Sequence, residues 1–152
     1  MSSAARYLAV LLCLFFAGEA AACTVSATGV NFGAYDVFVA TPYDSTGTVT
    51  VTCDQAPPVD ITIAIGPSGT SGGFIPRQMR STSSPDRLIY NLFVNAGRST
   101  VWGDGSAGTS SVFLKNVKKN RPTVTTIYGR IPAGQDVSVG SYTDSLTVTI
   151  TP

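Results

Sequence analysis

The chain contains no histidine, and its one glutamate, Glu19, lies close to the N-terminus. These absences remove the commonest general base, the commonest zinc ligand and every paired-glutamate mechanism, so an enzyme is not expected and no cofactor or metal site is read. Charge is also scarce: charged residues make up 12% of the chain, and ten basic side chains against nine acidic ones leave +1. No broad field therefore draws the chain to nucleic acid or to an anionic membrane surface. Beyond the first 22 residues no apolar run reaches the about 20 residues that a membrane-spanning helix needs, so no stable membrane insertion is expected. Helical periodicity is nearly missing as well.

What is present begins with an export signal. Arg6, an uncharged apolar run from Tyr7 to Ala17 and small residues before Cys23 form the three-part pattern of a secretory leader. Small residues stand correctly for cleavage after Ala20 or after Ala22, so residues 1–22 are predicted to be removed and residues 23–152 to form one domain. Cys13 departs with the leader, which leaves Cys23 and Cys53 as the only intramolecular disulfide pair in an oxidising compartment. Closing that loop is worth about 3 to 4 kcal/mol on the chain-entropy view. The competing reading of Cys23, a lipid-acylated N-terminus, fits less well, because Ala20 stands where such signals prefer leucine.

Period-two alternation dominates from Thr46 to the C-terminus. Val49, Val51 and Cys53 alternate with Thr48, Thr50 and Thr52, and Ile61, Ile63 and Ile65 repeat the pattern over Asp60 to Ile65. Leu88 to Val94 is apolar on both faces, which predicts a central strand. Thr125 to Ile131 is a shorter candidate. Tyr142 to Thr151 reads as one last strand, with Leu146, Val148 and Ile150 facing in. Turn clusters such as Pro67-Ser68-Gly69, Ser83-Ser84-Pro85-Asp86 and Pro132-Ala133-Gly134 separate these runs. About a quarter of the residues from Cys23 onward are Ser or Thr, which suit the wet faces of strands. The pattern predicts an all-β sandwich.

Several groupings invite a chemical reading, and each has a plainer one. Asp36 with Asp44, or Asp54 with Asp60, would be carboxylate pairs, but aspartate beside Gly, Ser or Pro is ordinarily a turn residue. Gly103-Asp104-Gly105-Ser106 lacks the ligand spacing and terminal glutamate of a calcium loop and reads as a hairpin turn. Lys115, Lys118, Lys119 and Arg121 crowd Phe113 to Arg121 without interleaved aromatics, so a solvated connection is expected rather than a nucleic-acid site. Gly66-Pro67-Ser68-Gly69 precedes no helix and lacks the lysine of a phosphate cradle. Trp102 is expected as a core or rim anchor rather than a sugar platform.

Ordered motifs then point to a family. Cys23-Thr24-Val25, Gly29-Val30-Asn31-Phe32-Gly33-Ala34-Tyr35-Asp36 and Gly47-Thr48-Val49-Thr50-Val51-Thr52-Cys53 open the series. Leu88-Ile89-Tyr90-Asn91-Leu92, Trp102-Gly103-Asp104-Gly105, Tyr128 to Gln135 and Gly140 to Thr149 continue it. In these the chain resembles the spore coat protein U domain, the family that includes subunits of archaic, Csu-type chaperone-usher pili. The resemblance implies an immunoglobulin-like sandwich lacking its final strand. It also implies a groove between the first strand (Val25, Ala27, Val30, Phe32) and the last (Leu146, Val148, Ile150) that a donor strand completes. The implied partners are a periplasmic chaperone, an outer-membrane usher and neighbouring pilin or coat subunits, and the implied location is the bacterial cell surface, in a pilus or coat. With cleavage at Ala20 or Ala22 at most two residues precede Cys23, so a donor extension is expected to be missing. A tip or capping role, with loops Gly72 to Arg80 or Trp102 to Ser111 touching a surface or glycan, is the second expectation.

Overall fold

The structure is a computed structural model that describes residues 22–152; the leader read from the sequence lies outside the described residues except for Ala22. Among the described residues nine strands run in the order β1 (Cys23–Thr28), β2 (Tyr43–Cys53), β3 (Val59–Ile65), β4 (Arg77–Ser81), β5 (Arg87–Phe93), β6 (Val112–Val117), β7 (Thr123–Ile131), β8 (Tyr142–Thr143) and β9 (Val148–Thr151). All their pairings are antiparallel. A six-stranded sheet has the order β1-β2-β7-β5-β4-β8, and a three-stranded sheet has the order β6-β3-β9. No helix of the described residues is long and apolar enough to cross a membrane.

The alternating runs become the facing layers of a sandwich. Val49, Val51 and Cys53 of β2 and Ile61, Ile63 and Ile65 of β3 are all buried, while the threonines between Val49 and Cys53 sit half-buried on the outer face. Leu88, Tyr90 and Leu92 of β5 join the same core, and β5 lies inside the larger sheet between β7 and β4, as its two apolar faces predict. Its second face is only thinly covered, since Ile89 stays 37% exposed. Trp102 is fully buried, and its indole N–H donates to the Ile63 carbonyl at 3.1 Å, which ties the connecting loop to the smaller sheet.

Two expectations need correction, and one strand was missed. The run from Tyr142 to Thr151 is not one strand: β8 pairs with β4 in the larger sheet, and β9 pairs with β3 in the smaller. The chain crosses between layers at Asp144 to Thr147, where the carbonyls of Ser145 and Thr147 accept the N–H groups of Gly69 and Gly66. Phe113 to Arg121 is not simply a connection, because β6 takes up its first half and only Lys118, Lys119 and Arg121 follow the strand. β4 went unread, because its inward residues are Arg77 and Ser81 with half-buried Met79 between them.

Candidate functional site: an apolar cleft between two sheet edges

Ladder register fixes which side chains face the interior, because residues opposite each other across an antiparallel pair project from the same face. Cys23, Val25 and Ala27 of β1 oppose Cys53, Val51 and Val49, so all three point between the layers. Val148 and Ile150 of β9 oppose Ile65 and Ile63 and point the same way. β1 forms one edge of the larger sheet and β9 one edge of the smaller, and the two are not hydrogen-bonded to each other. At one end of β1 the Cys23–Cys53 disulfide joins directly paired residues. Away from that end the layers part, and Val25 remains 36% exposed although it points inward.

The opening is a cleft of about 330 Å³, floored by Ile65, Leu92 and Ile127. Of the seven groove residues read from the sequence, Ala27, Val30, Phe32, Leu146 and Val148 line it; Val25 and Ile150 do not. Val30 and Phe32 are not on the first strand. They follow it, in a segment that leaves β1 at Thr28 and crosses the inner face of the larger sheet. That crossing depends on two glycines. A Cβ on Gly129 would stand 2.7 Å from both Val30 and Phe32, and one on Gly47 would stand 3.0 Å from Val30 and closer still to the Thr28 carbonyl. Phe32 meets Tyr90 edge to face with ring centroids 6.2 Å apart.

A second, wider hollow of about 720 Å³ continues the first, sharing Val30, Phe32, Met79 and Tyr142 with it. It runs between residues 30–38 and residues 137–142, and Phe38 and Val139 stand at its margin 93% and 101% exposed. Tyr35 holds the first of these segments: its hydroxyl donates to the Pro132 carbonyl and accepts the Gln135 N–H.

Known proteins resemble the chain in sequence and in fold. The family model of the spore coat protein U domain matches residues 11–149. The chain belongs to the spore coat protein U domain family. Within the family it is similar to Protein U of Myxococcus xanthus, with 36% identity over 130 residues that cover 80% of this chain and 70% of that protein. In fold it is similar to a chain of the CsuC–CsuE chaperone and tip adhesion subunit pre-assembly complex from the archaic chaperone-usher Csu pili of Acinetobacter baumannii. There the TM-score is 0.59 at 20% identity, covering 86% of this chain and 39% of that one. A chaperone–tip adhesin complex of CFA/I fimbriae biogenesis gives a TM-score of 0.53 at 11% identity, over 86% of this chain and 42% of that one. The spore coat U domain thus spans less than half of these solved chains, and at such identity they share the fold.

Polar groups around the cleft were not legible as a set. Arg77 is fully buried, and its guanidinium donates to the carbonyls of Gly66 (2.8 Å), Trp102 (2.8 Å) and Ile65 (3.2 Å) and to Asn91 Oδ1 (2.9 Å). Burial lowers its pKa from the ordinary arginine value. The Tyr90 hydroxyl donates to Asp144 Oδ2 at 2.6 Å, and burial followed by that bond pushes its pKa well above the usual phenol range. No signal in the sequence spacing brings Arg77, Tyr90 and Asp144 together.

The remaining candidates take plain roles. Asp36 Oδ1 accepts the Phe38 N–H and Asp104 Oδ1 accepts the Ser106 N–H, as turn aspartates do. Asp44 is held by Arg130 through two contacts at 2.7 and 2.9 Å and by Arg98 at 3.2 Å, and Asp60 accepts the Asn116 N–H. The Ser68 hydroxyl accepts the N–H groups of Thr70 and Ser71, which makes the Gly-Pro-Ser-Gly stretch a turn. Burial of Trp102 removes it as a binding platform for the loop it begins.

Proposed function

We propose that this chain is a structural subunit of a bacterial surface fibre or coat, carried through the periplasm by a chaperone-usher route and assembled by donor-strand complementation. Residues 1–22 act as the leader removed on export, and residues 23–152 as an immunoglobulin-like sandwich without its final strand. The observation that carries the reading is the apolar cleft between the unpaired edges of β1 and β9. A strand laid there gains ladder hydrogen bonds from the edges and pockets for its inward side chains. A periplasmic chaperone fills the cleft first, and a neighbouring pilin or coat subunit replaces it at the usher. The chemistry is strand pairing rather than bond breaking.

The test is thermal unfolding of the purified, oxidised chain with and without a saturating synthetic strand from a co-expressed subunit. Ligation of the native state alone at 100 times Kd adds about 2.7 kcal/mol, which for this size is a rise of roughly 10 °C. No rise with any candidate strand sinks the proposal. A second reading, a tip or capping subunit, draws on Phe38 and Val139, which stand almost fully exposed at the margin of the wider hollow. Immunogold labelling of intact cells separates the two, since a tip subunit marks fibre ends and a shaft or coat subunit does not.

A further inference from the structure

The cleft wall is apolar except at one end. Asp144 lines it, half-buried, where the chain crosses from one layer to the other. The other polar lining residues are Thr28 and Thr143, exposed at the rim, and Tyr90 and Tyr142. The Tyr142 hydroxyl donates to the Ser138 carbonyl at 2.7 Å, and the Tyr90 hydroxyl donates to Asp144. An ionised carboxylate offers about four acceptor sites, two per oxygen. Oδ1 uses both of its own, on the N–H groups of Thr70 (3.1 Å) and Ser145 (2.9 Å). Oδ2 uses one, on Tyr90. One site on Oδ2 remains, and while the cleft is open water can meet it.

A strand seated in the cleft displaces that water. Its backbone N–H groups are directed sideways at the β1 and β9 edges, so only an inward side chain can replace the lost donor. An apolar side chain there leaves the second acceptor site of Oδ2 without a donor once water is displaced, which weakens the solvation of a carboxylate that the strand buries. Cationic donors are disfavoured too, because an ammonium would be taken out of water into an otherwise apolar cleft, to meet a carboxylate that already accepts three hydrogen bonds. We propose that Asp144 is the specificity-determining residue of the cleft, positioned by Tyr90, and that it selects a strand with one neutral hydroxyl or amide side chain among otherwise apolar inward residues. This inference rests on the strand-acceptor reading above.

The experiment uses the oxidised chain and synthetic 13-residue peptides with inward Val and outward Ser, in which each inward position in turn is replaced by Thr, Leu or Lys. Affinity is read by fluorescence anisotropy. One register is expected at which Thr binds about tenfold tighter than Leu or Lys, and Asp144→Leu is expected to place Leu above Thr at the same register while Lys stays weakest. Tyr90→Phe, which keeps the ring and frees a second acceptor site on Oδ2, is expected to widen the Thr preference. If peptides bind with no favoured Thr position, or the preference survives in Asp144→Leu, the inference is overturned while the acceptor cleft stands. If no peptide binds at all, the cleft reading fails and takes this inference with it.

Discussion

Arg77 offers the sharpest test of how the two layers are held together. Its guanidinium ties the end of β3, through the Ile65 and Gly66 carbonyls, to the Trp102 carbonyl and to Asn91 on β5. It also lies 5.5 Å from the centre of the Phe74 ring. Replacing it with methionine keeps much of the volume but removes four charge-assisted contacts at once, three of them shared by the two N–H groups of one terminal nitrogen. Three carbonyls lose this donor while Asn91 Oδ1 keeps the Leu92 N–H, and each buried acceptor left unmet costs about 1 to 3 kcal/mol. Relief of the guanidinium's own desolvation offsets part of that sum. A net loss of about 3 to 5 kcal/mol is expected, a large part of the about 5 to 15 kcal/mol that holds a domain of this kind together. Urea unfolding of the oxidised protein should show the midpoint falling with an unchanged slope, and the melting temperature dropping by roughly 10 °C or more. Arg77→Lys should recover less than half, since an ammonium cannot span acceptors set for a planar fork. A methionine variant within about 1 kcal/mol of the parent would refute the reasoning and mean that those carbonyls find other donors.

Other substitutions test other parts of the frame. Gly129→Ala places a methyl group 2.7 Å from Val30 and Phe32; it should cost about 1 to 3 kcal/mol and weaken strand binding more than a comparable change on the outer face. Gln135→Ala removes the carboxamide that accepts the Ile89 N–H (2.7 Å) and donates to the Ile89 carbonyl (2.9 Å), so faster amide exchange at Ile89 and a loss of about 1 to 2 kcal/mol are expected. The Asp44 carboxyl is held below the usual carboxylate range, first by its hydrogen bond to Arg130. A depressed folded-state value adds stability that is complete above the ordinary carboxylate pKa and lost as pH falls through the folded one. Acid titration of Asp44→Asn should therefore show a shallower fall in stability below about pH 4 than the parent. Reduction of the Cys23–Cys53 disulfide should lower stability by about 3 to 4 kcal/mol, read as a drop in urea midpoint in reductant.

The core strands were legible because alternation reports which side of a strand faces the interior. It does not report which sheet the strand joins. Tyr142, Asp144, Leu146, Val148 and Ile150 are all half-buried and the residues between them exposed, so the alternation is unbroken across the point where the chain changes layers. The same limit explains β4, where an arginine takes an inward place because carbonyls and Asn91 receive it. β6 was obscured by Asn116, which bends the strand with φ of 56°, and by Phe113, which faces outward opposite Thr62 and is 61% exposed. Val30 and Phe32 were read as strand residues for a related reason. They keep a spacing of two, but what holds them inward is the bare surface of Gly129 rather than a ladder.

Edge chemistry gives a reason to regard β1 and β9 as unfinished. Sheets protect exposed edges with short strands, charges, bulges or local twist. β8 is two residues long. β6 carries Lys115, faces a register shift between Val59 and Ile61 and ends near the left-handed Asn116. β1, with the sequence CTVSAT, and β9, with VTIT, hold no charge, no proline and no bulge. Where strands stop elsewhere, side chains take over the pairing, as Gln135 does for Ile89 and Asp144 for the Thr70 and Ser145 N–H groups. Along the facing edges of β1 and β9 no side chain takes that part among the described residues, and the cleft between them is apolar. An edge left open at both walls of an apolar slot, in a fold that guards its other edges, is the arrangement that the proposed strand acceptor requires.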